Sequence, residues 1–332
     1  MSGSGGNNPT IGDLGERGTL ARILPLLPVA AQASVPPGDD AAVSTLSRPE
    51  VVTTCDMMIE GPDFRLDWSS PHDVGWKAMA SNLADVAAMG AVPSGVIVAV
   101  AASPDTPVAV LEGISRGIAD ALSVMAPGCG VLGGDLSASS QLTIAVTVLG
   151  DLQGRSPVLR SGAQPGDVVC ATGDLGASER GLRALHRFAS DHGGTIPAEI
   201  INSLRRENPD VEHHLAPVAP IGLGPVAADH GATAMMDISD GLVLDLTRLT
   251  EASGVSAELD EALIGDETAL IGGEDHGLLA CFPDPGNIPE GFSPIGRIVA
   301  QRPEARIFLG GEPLSLPRGG WDPYRDSVAV ST

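Results

Sequence analysis

The stretch S-P-H-D-V-G-W-K-A-M-A-S-N-L-A-D-V-A-A-M-G, residues 70–90, predicts a long helix that carries polar residues on an apolar face. Ser70 can cap a helix that has Pro71 at its first position, and the last glycine of the stretch ends that helix. Asn82 and Asp85 lie three residues apart on a helix face otherwise made of Ala, Met and Leu. An aspartate on a largely apolar face needs a partner, so we expect Asp85 to have one.

Predicted strands and helices alternate on both sides of this helix, which indicates an α/β or α+β architecture. Strands are predicted at residues 50–58, 94–102, 141–151, 167–172 and 233–238, with several more between residues 269 and 309. Helices are predicted at residues 20–27, 70–89, 106–125, 177–192 and 242–253. Because Pro and Gly concentrate in residues 154–166, we place a boundary there. The predicted units are a flexible tail at residues 1–16, an N-terminal α/β domain at 17–155 and a C-terminal α/β domain at 156–332.

The composition excludes several classes of protein. A formal net charge of −23 over 332 residues, without a basic patch, argues against nucleic-acid binding and against anionic membranes. The longest apolar run, residues 95–102, is too short to cross a bilayer, and the first nine residues do not resemble a signal peptide. The four cysteines form no C-x-x-C pair, so we expect reduced thiols and no zinc. These features predict a soluble cytoplasmic protein.

Several aspartates stand where a strand or a glycine turn is expected to end. They are Asp39, Asp40, Asp56, Asp135, Asp237 and Asp240. Carboxylates that crowd together raise one another's pKa unless a cation neutralises them. Oxygen ligands without a His/Cys cluster favour Mg²⁺, which takes a few carboxylates and leaves its other positions to water and substrate phosphate. The sequence therefore predicts magnesium binding.

The possible modes of nucleotide binding can be narrowed, because two common nucleotide-binding motifs are absent from the sequence. The single lysine, Lys77, lies in V-G-W-K-A, so a Walker A loop is absent, and no protein-kinase motif occurs. G-G-D, residues 133–135, would let the backbone approach a phosphate, although such a tripeptide is often only a turn. D-I-S-D-G, residues 237–241, is predicted to join a strand end to a helix N-terminus, where phosphate and metal are both favoured, or to be an N-cap with an extra acid.

Seven motifs follow one another over residues 36–280: P-G-D-D-A-A-V, T-T-C-D-M-M-I-E-G, K-A-M-A-S-N-L-A-D-V-A-A-M-G-A, L-G-G-D, L-R-S-G-A-Q-P-G-D, M-D-I-S-D-G-L and G-G-E-D-H. With G-W-D-P-Y near the C-terminus, this ordered set resembles the thiamine-monophosphate kinase family, part of the aminoimidazole-ribonucleotide synthetase-like superfamily. The resemblance implies a two-domain α/β (α+β) fold with mixed sheets covered by helices. It also implies a homodimer formed through the N-terminal domains and an ATP site in a cleft.

The resemblance further implies roles for individual residues. Several Mg²⁺ ions would be held by Asp40, Thr54, Asp56, Asp85, Asp135, Asp237 and Asp240. ATP, as co-substrate, would contact Gly134, Asp135, Arg160 and Ser239. Thiamine monophosphate would contact Asp63, Glu274 and Trp321. Asp63 is a departure, because the family usually has a substrate-facing His there, and the change replaces a possible cation with an anion near a phosphorylated substrate.

The expected reaction is direct in-line transfer of the ATP γ-phosphoryl group to thiamine monophosphate, giving thiamine diphosphate. A phosphate monoester has a second pKa of about 6, so the acceptor is already a nucleophilic anion at neutral pH and no side-chain base is required. The histidines, which include His186, His192, His213 and His214, lack neighbouring metal ligands and are predicted to be surface or loop residues. The alternatives are another ATP-using synthetase of the superfamily, or a non-catalytic homologue that binds metal and nucleotide.

Overall fold

The computed structural model of the chain describes residues 8–37, 41–192, 194–314, 316 and 320–321. Two of the aspartates singled out above, Asp39 and Asp40, lie outside the described residues. None of the helices within the described residues is both long and apolar enough to span a bilayer.

Helix α1 (Ile11–Ile23) begins inside the segment predicted as a flexible tail, nine residues before the predicted helix start. A reciprocal cap explains the early start. The Thr10 hydroxyl accepts the backbone N–H of Asp13 at 3.2 Å, and the Asp13 carboxylate accepts the backbone N–H of Thr10 at 2.9 Å. A 3₁₀ turn (Leu24–Leu26) follows the helix, as expected for a chain that meets a proline there.

The N-terminal part of the chain forms a four-stranded sheet in the order β3-β6-β4-β5. Its strands are β3 (Val52–Ile59), β4 (Val92–Ala102), β5 (Val131–Ala138) and β6 (Thr143–Asp151). The β3/β6 and β4/β6 pairs are antiparallel and the β4/β5 pair is parallel, so this sheet is mixed. A separate two-stranded ribbon consists of β1 (Ala33–Val35) and β2 (Val43–Ser44).

Two long helices, α2 (Pro71–Ala88) and α3 (Val108–Met125), pack on one face of this sheet. Ser70 caps α2 as predicted, in a capping box with Asp73. The two helices approach backbone to backbone at glycines. A Cβ added to Gly75 would lie 2.1 Å from the carbonyl oxygen of Ile114, and one added to Gly117 would lie 1.9 Å from that of His72. Only glycine fits at these two positions.

The C-terminal part contains a seven-stranded mixed sheet in the order β13-β12-β9-β11-β7-β10-β8. Its strands are β7 (Val168–Ala171), β8 (Ala234–Ile238), β9 (Ser256–Leu259), β10 (Gly277–Phe282), β11 (Ser293–Val299), β12 (Ile307–Leu309) and β13 (Glu312–Pro313). The helices are α4 (Ala177–Asp191), α5 (Ala198–Glu207), α6 (Pro209–Leu215), α7 (Leu223–Asp229), α8 (Leu242–Ser253), α9 (Glu261–Ile264) and α10 (Glu267–Ile271). The predicted boundary falls in the connection between β6 and β7.

Successive side chains of the larger sheet enter two different cores. Met235 and Leu278 join the core that surrounds α2, whereas Met236 and Leu279 join a second core with α8 and α10. The first core continues without interruption into the N-terminal sheet, so α2 is packed between the two halves of the protein. The predicted fold class, mixed sheets covered by helices in two parts, is confirmed.

The positions of two aspartates differ from the sequence-based expectation. Asp56 and Asp135 lie inside β3 and β5, not where strands or turns end. Both strands are at edges of the sheet, where a polar side chain can remain exposed. The glycine before Asp135 makes close backbone contact and not a turn, because a Cβ on Gly134 would lie 2.0 Å from the carbonyl oxygen of Val98.

Candidate active site

A cleft of about 430 Å³ lies between the two halves of the chain. Its walls include seven residues that the sequence had marked: Thr54, Asp56, Asp85, Arg160, Asp237, Ser239 and Asp240. The first three come from β3 and α2, and the other four from the C-terminal part. Arg248 and His276, which the sequence analysis did not single out for this site, also line it.

Asp85 is the partly buried acid of α2, and the partner expected for it is present. The hydroxyl of Thr54 on β3 donates to its carboxylate at 2.8 Å. Burial, and next the charge of Asp237 from the other half of the chain, raise the pKa of Asp85 to about 7. Burial and Asp237 also raise the pKa of Asp56. The cleft therefore concentrates negative charge contributed by both halves of the chain.

The D-I-S-D-G turn is held by an aspartate that the sequence analysis missed. Asp245, fully buried in the first turn of α8, accepts the backbone N–H of Ser239 at 3.1 Å and that of Asp240 at 3.0 Å. Burial, and next the charge of Asp237, raise the pKa of Asp245 to about 7. The charge of Arg248, one turn further along α8, lowers the pKa of Asp245 and partly offsets this rise.

The donor set of the cleft suits a hard divalent cation, because it consists of carboxylate and hydroxyl oxygens. Within the described ranges, no three His, Cys, Asp or Glu side chains form a ready-made metal cage. Mg²⁺ ordinarily uses one or two carboxylates together with water and substrate phosphate. A cation would also relieve the repulsion that raises the pKa values of Asp56 and Asp85. On these grounds the residues present fit Mg²⁺.

Asp135 is not brought to this cleft within one chain. The sheet register aligns Asp56 with Val146, Val146 with Val98, and Val98 with Gly134, so Asp56 and the G-G-D segment stand at opposite edges of the sheet. Three strand spacings, about 14 Å, separate them. Side chains alternate along a strand, which puts Asp56 on the face covered by α2 and Asp135 on the other face.

A second group of predicted residues meets beside the cleft. The backbone N–H of Glu274 donates to the carbonyl oxygen of Ser239 at 2.7 Å, so the G-G-E-D-H turn is fixed to D-I-S-D-G. The Glu274 carboxylate accepts from Lys77 of α2 at 3.1 Å. Glu274 and His276 both have positive φ angles, 62° and 51°, which is unusual for residues other than glycine. Trp321 reaches the same region, because its backbone N–H donates to the carbonyl oxygen of Asp240 at 2.9 Å.

His214 contradicts the prediction that the histidines are surface or loop residues. It is buried in α6, and its Nδ1 lies 2.9 Å from the hydroxyl of Ser178 and 3.5 Å from the Glu274 carboxylate. Burial, and next the Lys77 charge, lower the pKa of His214 to about 3, so the ring is neutral at neutral pH. His214 packs against α4. This tertiary contact could not be predicted from the local sequence.

The comparison with known proteins agrees with this geometry. Two family models match the chain: AIR synthase related protein, N-terminal domain, over residues 38–152, and its C-terminal domain over residues 164–290. The thiamine-monophosphate kinase of Mycobacterium tuberculosis (strain ATCC 25618 / H37Rv) is 37% identical over 334 residues, covering 96% of this chain and 94% of that protein. The chain belongs to the thiamine-monophosphate kinase family. It is therefore an enzyme of the kinase class.

Solved structures of thiamine-monophosphate kinases have the same fold. The enzyme of Aquifex aeolicus is 29% identical and superposes with a TM-score of 0.69, covering 84% of this chain and 93% of that chain. A complex of AaThiL with AMPPCP and TMP superposes with the same TM-score at 28% identity, covering 92% of this chain and 96% of that chain.

Asp63, predicted from the resemblance to contact the substrate, lies just after β3. Its carboxylate accepts the backbone N–H of Ile59 at 2.7 Å, which closes the turn after β3. Burial raises the pKa of Asp63, the Glu274 charge raises it further, and Lys77 lowers it. Asp63 thus lies close enough to Glu274 and Lys77 for their charges to shift its pKa. Two of the three predicted substrate residues, Asp63 and Glu274, are therefore near Lys77.

Proposed function

We propose that the chain transfers the γ-phosphoryl group of ATP to the phosphate of thiamine monophosphate, giving ADP and thiamine diphosphate. The observation that carries this proposal is the convergence of Asp56 and Asp85 from one half of the chain with Asp237 and Asp240 from the other. Two polyanions must meet in this reaction, and a cleft of this kind suits them only with cations present. The membership of the thiamine-monophosphate kinase family supports the same reaction.

Within the cleft, Thr54, Asp56, Asp85, Asp237 and Asp240 would hold Mg²⁺; Asp40 and Asp135 stay predicted ligands. When bound, Mg²⁺ supplies the neutralisation of phosphate charge that an in-line displacement needs. The chain's own residues orient the reactants. Arg160 lines the cleft, and its guanidinium is suited to phosphate. Ser239 and the N-terminus of α8 offer hydroxyl and N–H donors to the same phosphates.

The acceptor would lie beside the nucleotide, against Glu274, Asp63 and Trp321. Trp321 is 38% exposed, and its indole would offer a flat face to the acceptor's rings. No side chain is assigned as a general base, because the terminal phosphate of the acceptor is already anionic at neutral pH. The transfer would then depend on position and charge.

We infer that the chain acts as a homodimer through the N-terminal sheet. The sheet face opposite α2 and α3 exposes Met57 (58%) and Ile97 (40%), and no described helix packs over it. An exposed apolar sheet face of this kind suits a second copy of the chain. Asp135 stands on this face, so the dimer prediction and the metal-ligand prediction for Asp135 agree if each copy's Asp135 serves the cleft of the other.

A direct assay tests the reaction. The purified chain is incubated with ATP, Mg²⁺ and thiamine monophosphate, and the products are separated by chromatography. Thiamine diphosphate and ADP should form in equal amounts, and the Asp237→Asn variant should form neither. Release of ADP without thiamine diphosphate would point to another acceptor, as in the alternative of a different synthetase. In-line transfer additionally requires inversion at phosphorus when the γ-phosphoryl group is an isotopically chiral thiophosphate.

A further inference from the structure

Lys77 is the only lysine among the 19 lysines and arginines of the chain. It lies in α2 and is only 3% exposed. The other eighteen of these residues are arginines, so the single lysine of the chain occupies a buried position. Lysine and arginine differ there, because an ammonium is a compact point charge on a flexible stem and a guanidinium is a broad planar fork.

The partner of Lys77 comes from the other half of the chain. Its Nζ lies 3.1 Å from Oε2 of Glu274, which is 197 residues away in sequence. The side chain of Lys77 is 4% exposed, whereas that of Glu274 is 38% exposed. The ion pair thus has a buried side and an open side. A buried ammonium needs such a partner, and the partner is the Glu274 carboxylate, which lies beside the cleft.

The same carboxylate oxygen has a second buried neighbour. His214 Nδ1 lies 3.5 Å from Oε2 of Glu274 and 2.9 Å from the Ser178 hydroxyl. No described residue donates a hydrogen bond to the other oxygen, Oε1. Oε2 of Glu274 therefore contacts two buried side chains, Lys77 and His214, whereas Oε1 remains available on the exposed side.

The backbone at Glu274 is fixed as firmly as its side chain. Its φ of 62° belongs to the left-handed region, which costs energy for a residue with a Cβ. Its N–H donates to Ser239, and a Cβ on the preceding Gly273 would lie 2.7 Å from the Ser239 carbonyl oxygen. Strain held in this way is typical of a functional position, where the surrounding structure determines the conformation.

We propose that Lys77 is a positioning residue that acts through Glu274, holding one carboxylate oxygen so that the other can present negative charge to the cationic thiazolium ring of the acceptor. This inference rests on the proposed function, in which Glu274 contacts thiamine monophosphate. The charge balance agrees with it. Lys77 neutralises one of the two carboxylates, Asp63 and Glu274, in this region, which leaves one negative charge for a positively charged ring.

The test is a double-mutant cycle with Lys77→Met, Glu274→Gln and the combined variant, measured by steady-state kinetics in both substrates. Lys77→Met should raise the KM for thiamine monophosphate at least tenfold and change the KM for ATP less than threefold. In the Glu274→Gln background the same substitution should have an effect of less than twofold. If Lys77→Met does not fold by circular dichroism, Lys77→Gln replaces it in the cycle.

Arg205→Met is the matched control, because it removes another ion pair between α2 and the C-terminal part. Arg205 Nη1 lies 2.9 and 3.0 Å from the two carboxylate oxygens of Asp73 in the first turn of α2. This variant should lower the melting temperature without changing the KM for thiamine monophosphate by more than twofold. A control that reproduces the Lys77→Met kinetics would show a merely structural role and overturn the proposal.

The outcomes separate the inference from the proposed function. If the wild type makes thiamine diphosphate but the effects of Lys77→Met and Glu274→Gln multiply in the combined variant, only the role of Lys77 is refuted. If the wild type makes no thiamine diphosphate and does not bind thiamine monophosphate in calorimetry, the proposed function is refuted and this inference with it.

Discussion

Arg248 donates from Nη1 to Asp240 at 2.6 Å, at the edge of the cleft. The same nitrogen donates at 2.7 Å to Asp245, whose side chain is fully buried, whereas that of Arg248 is 39% exposed. One guanidinium therefore serves a predicted metal ligand and the aspartate that holds the D-I-S-D-G turn. A cation bound to Asp240 would compete with Arg248 for the same carboxylate.

Replacing Arg248 should make folding more dependent on magnesium. Arg248→Gln leaves Asp240 and the buried Asp245 without their cation. The free energy of unfolding should fall by roughly 1–3 kcal/mol, a range that already allows for solvent screening of the partly exposed arginine. We expect a lower Tm in EDTA and a larger rise in Tm on adding MgCl₂ than in the wild type. Scanning calorimetry with and without MgCl₂ measures both. Arg297→Gln, which removes an exposed ion pair with Glu258, is the control and should respond to MgCl₂ like the wild type.

Removing the charge of Asp85 should stabilise the protein and inactivate it. Because burial and Asp237 raise the pKa of Asp85 from 3.8 to about 7, stability is lost as the pH rises between these two values, and the full cost is present above pH 7 when no cation is bound. In EDTA at pH 8, Asp85→Asn should increase the free energy of unfolding by about 1–3 kcal/mol, since asparagine can still accept from Thr54. Turnover should fall at least a hundredfold. Urea unfolding and the coupled assay measure the two effects, and a variant that loses both stability and activity would argue against a charge-crowded cleft.

Local sequence predicted the elements that carry the cleft but not all of its contacts. The cap at Ser70 correctly indicated the start of α2, and the D-I-S-D-G segment does join a strand to a helix. These features are encoded within a few residues. The partner of Lys77 lies 197 residues away, so its ion pair could only be suspected from the rarity of lysine in the chain.

The positions of Asp135 and Asp245 show two further limits of sequence reasoning. A motif gives the order of residues along the chain, but the sheet face that Asp135 occupies depends on strand register, which is set by tertiary pairing. Asp245 lies five residues after Asp240. The sequence feature that could have identified it is an acidic residue in the first turn of an apolar helix. Asp40 lies outside the described residues, and its role as a ligand stays a prediction.

The close contact of α2 with α3 should make Gly117 intolerant of any side chain. A Cβ there would lie 1.9 Å from the carbonyl oxygen of His72, so Gly117→Ala must push the helices apart. We expect a loss of at least about 3 kcal/mol in the free energy of unfolding, despite the better helix propensity of alanine. Gly222→Ala is the control, because its added Cβ meets nothing within 4 Å, and it should be neutral or slightly stabilising. Denaturant unfolding of both variants distinguishes close packing from propensity.

The buried His214 should make the protein sensitive to mild acid. Burial lowers its pKa from 6.5 to about 3, so its contribution to stability is fully present above pH 6.5 and is lost as the pH falls towards 3. Between pH 7 and pH 5 the loss should be about 2 kcal/mol. His214→Gln should lack this part of the pH dependence, whereas a variant at the exposed His192 should keep it. Urea unfolding at the two pH values gives the comparison, and equal slopes for the wild type and His214→Gln would contradict a buried neutral ring.

Mixing two inactive variants should restore activity if Asp135 serves the cleft of the partner copy. Asp56→Asn and Asp135→Asn should each be nearly inactive, because each removes a charge from the predicted metal sites. In a mixed dimer one cleft would carry both substitutions and the other would carry neither. Random reassociation makes half of the dimers mixed, so about a quarter of all clefts would be intact.

Unfolding and refolding an equal mixture should therefore recover roughly a quarter of the wild-type turnover under the transfer assay. If Asp135 acted within its own chain, every cleft in the mixture would carry one substitution and no activity would return. A mixture of Asp56→Asn with Asp85→Asn is the control, since both side chains line the same cleft and cannot complement each other. Size-exclusion chromatography with light scattering, run on the same samples, establishes whether dimers are present to exchange.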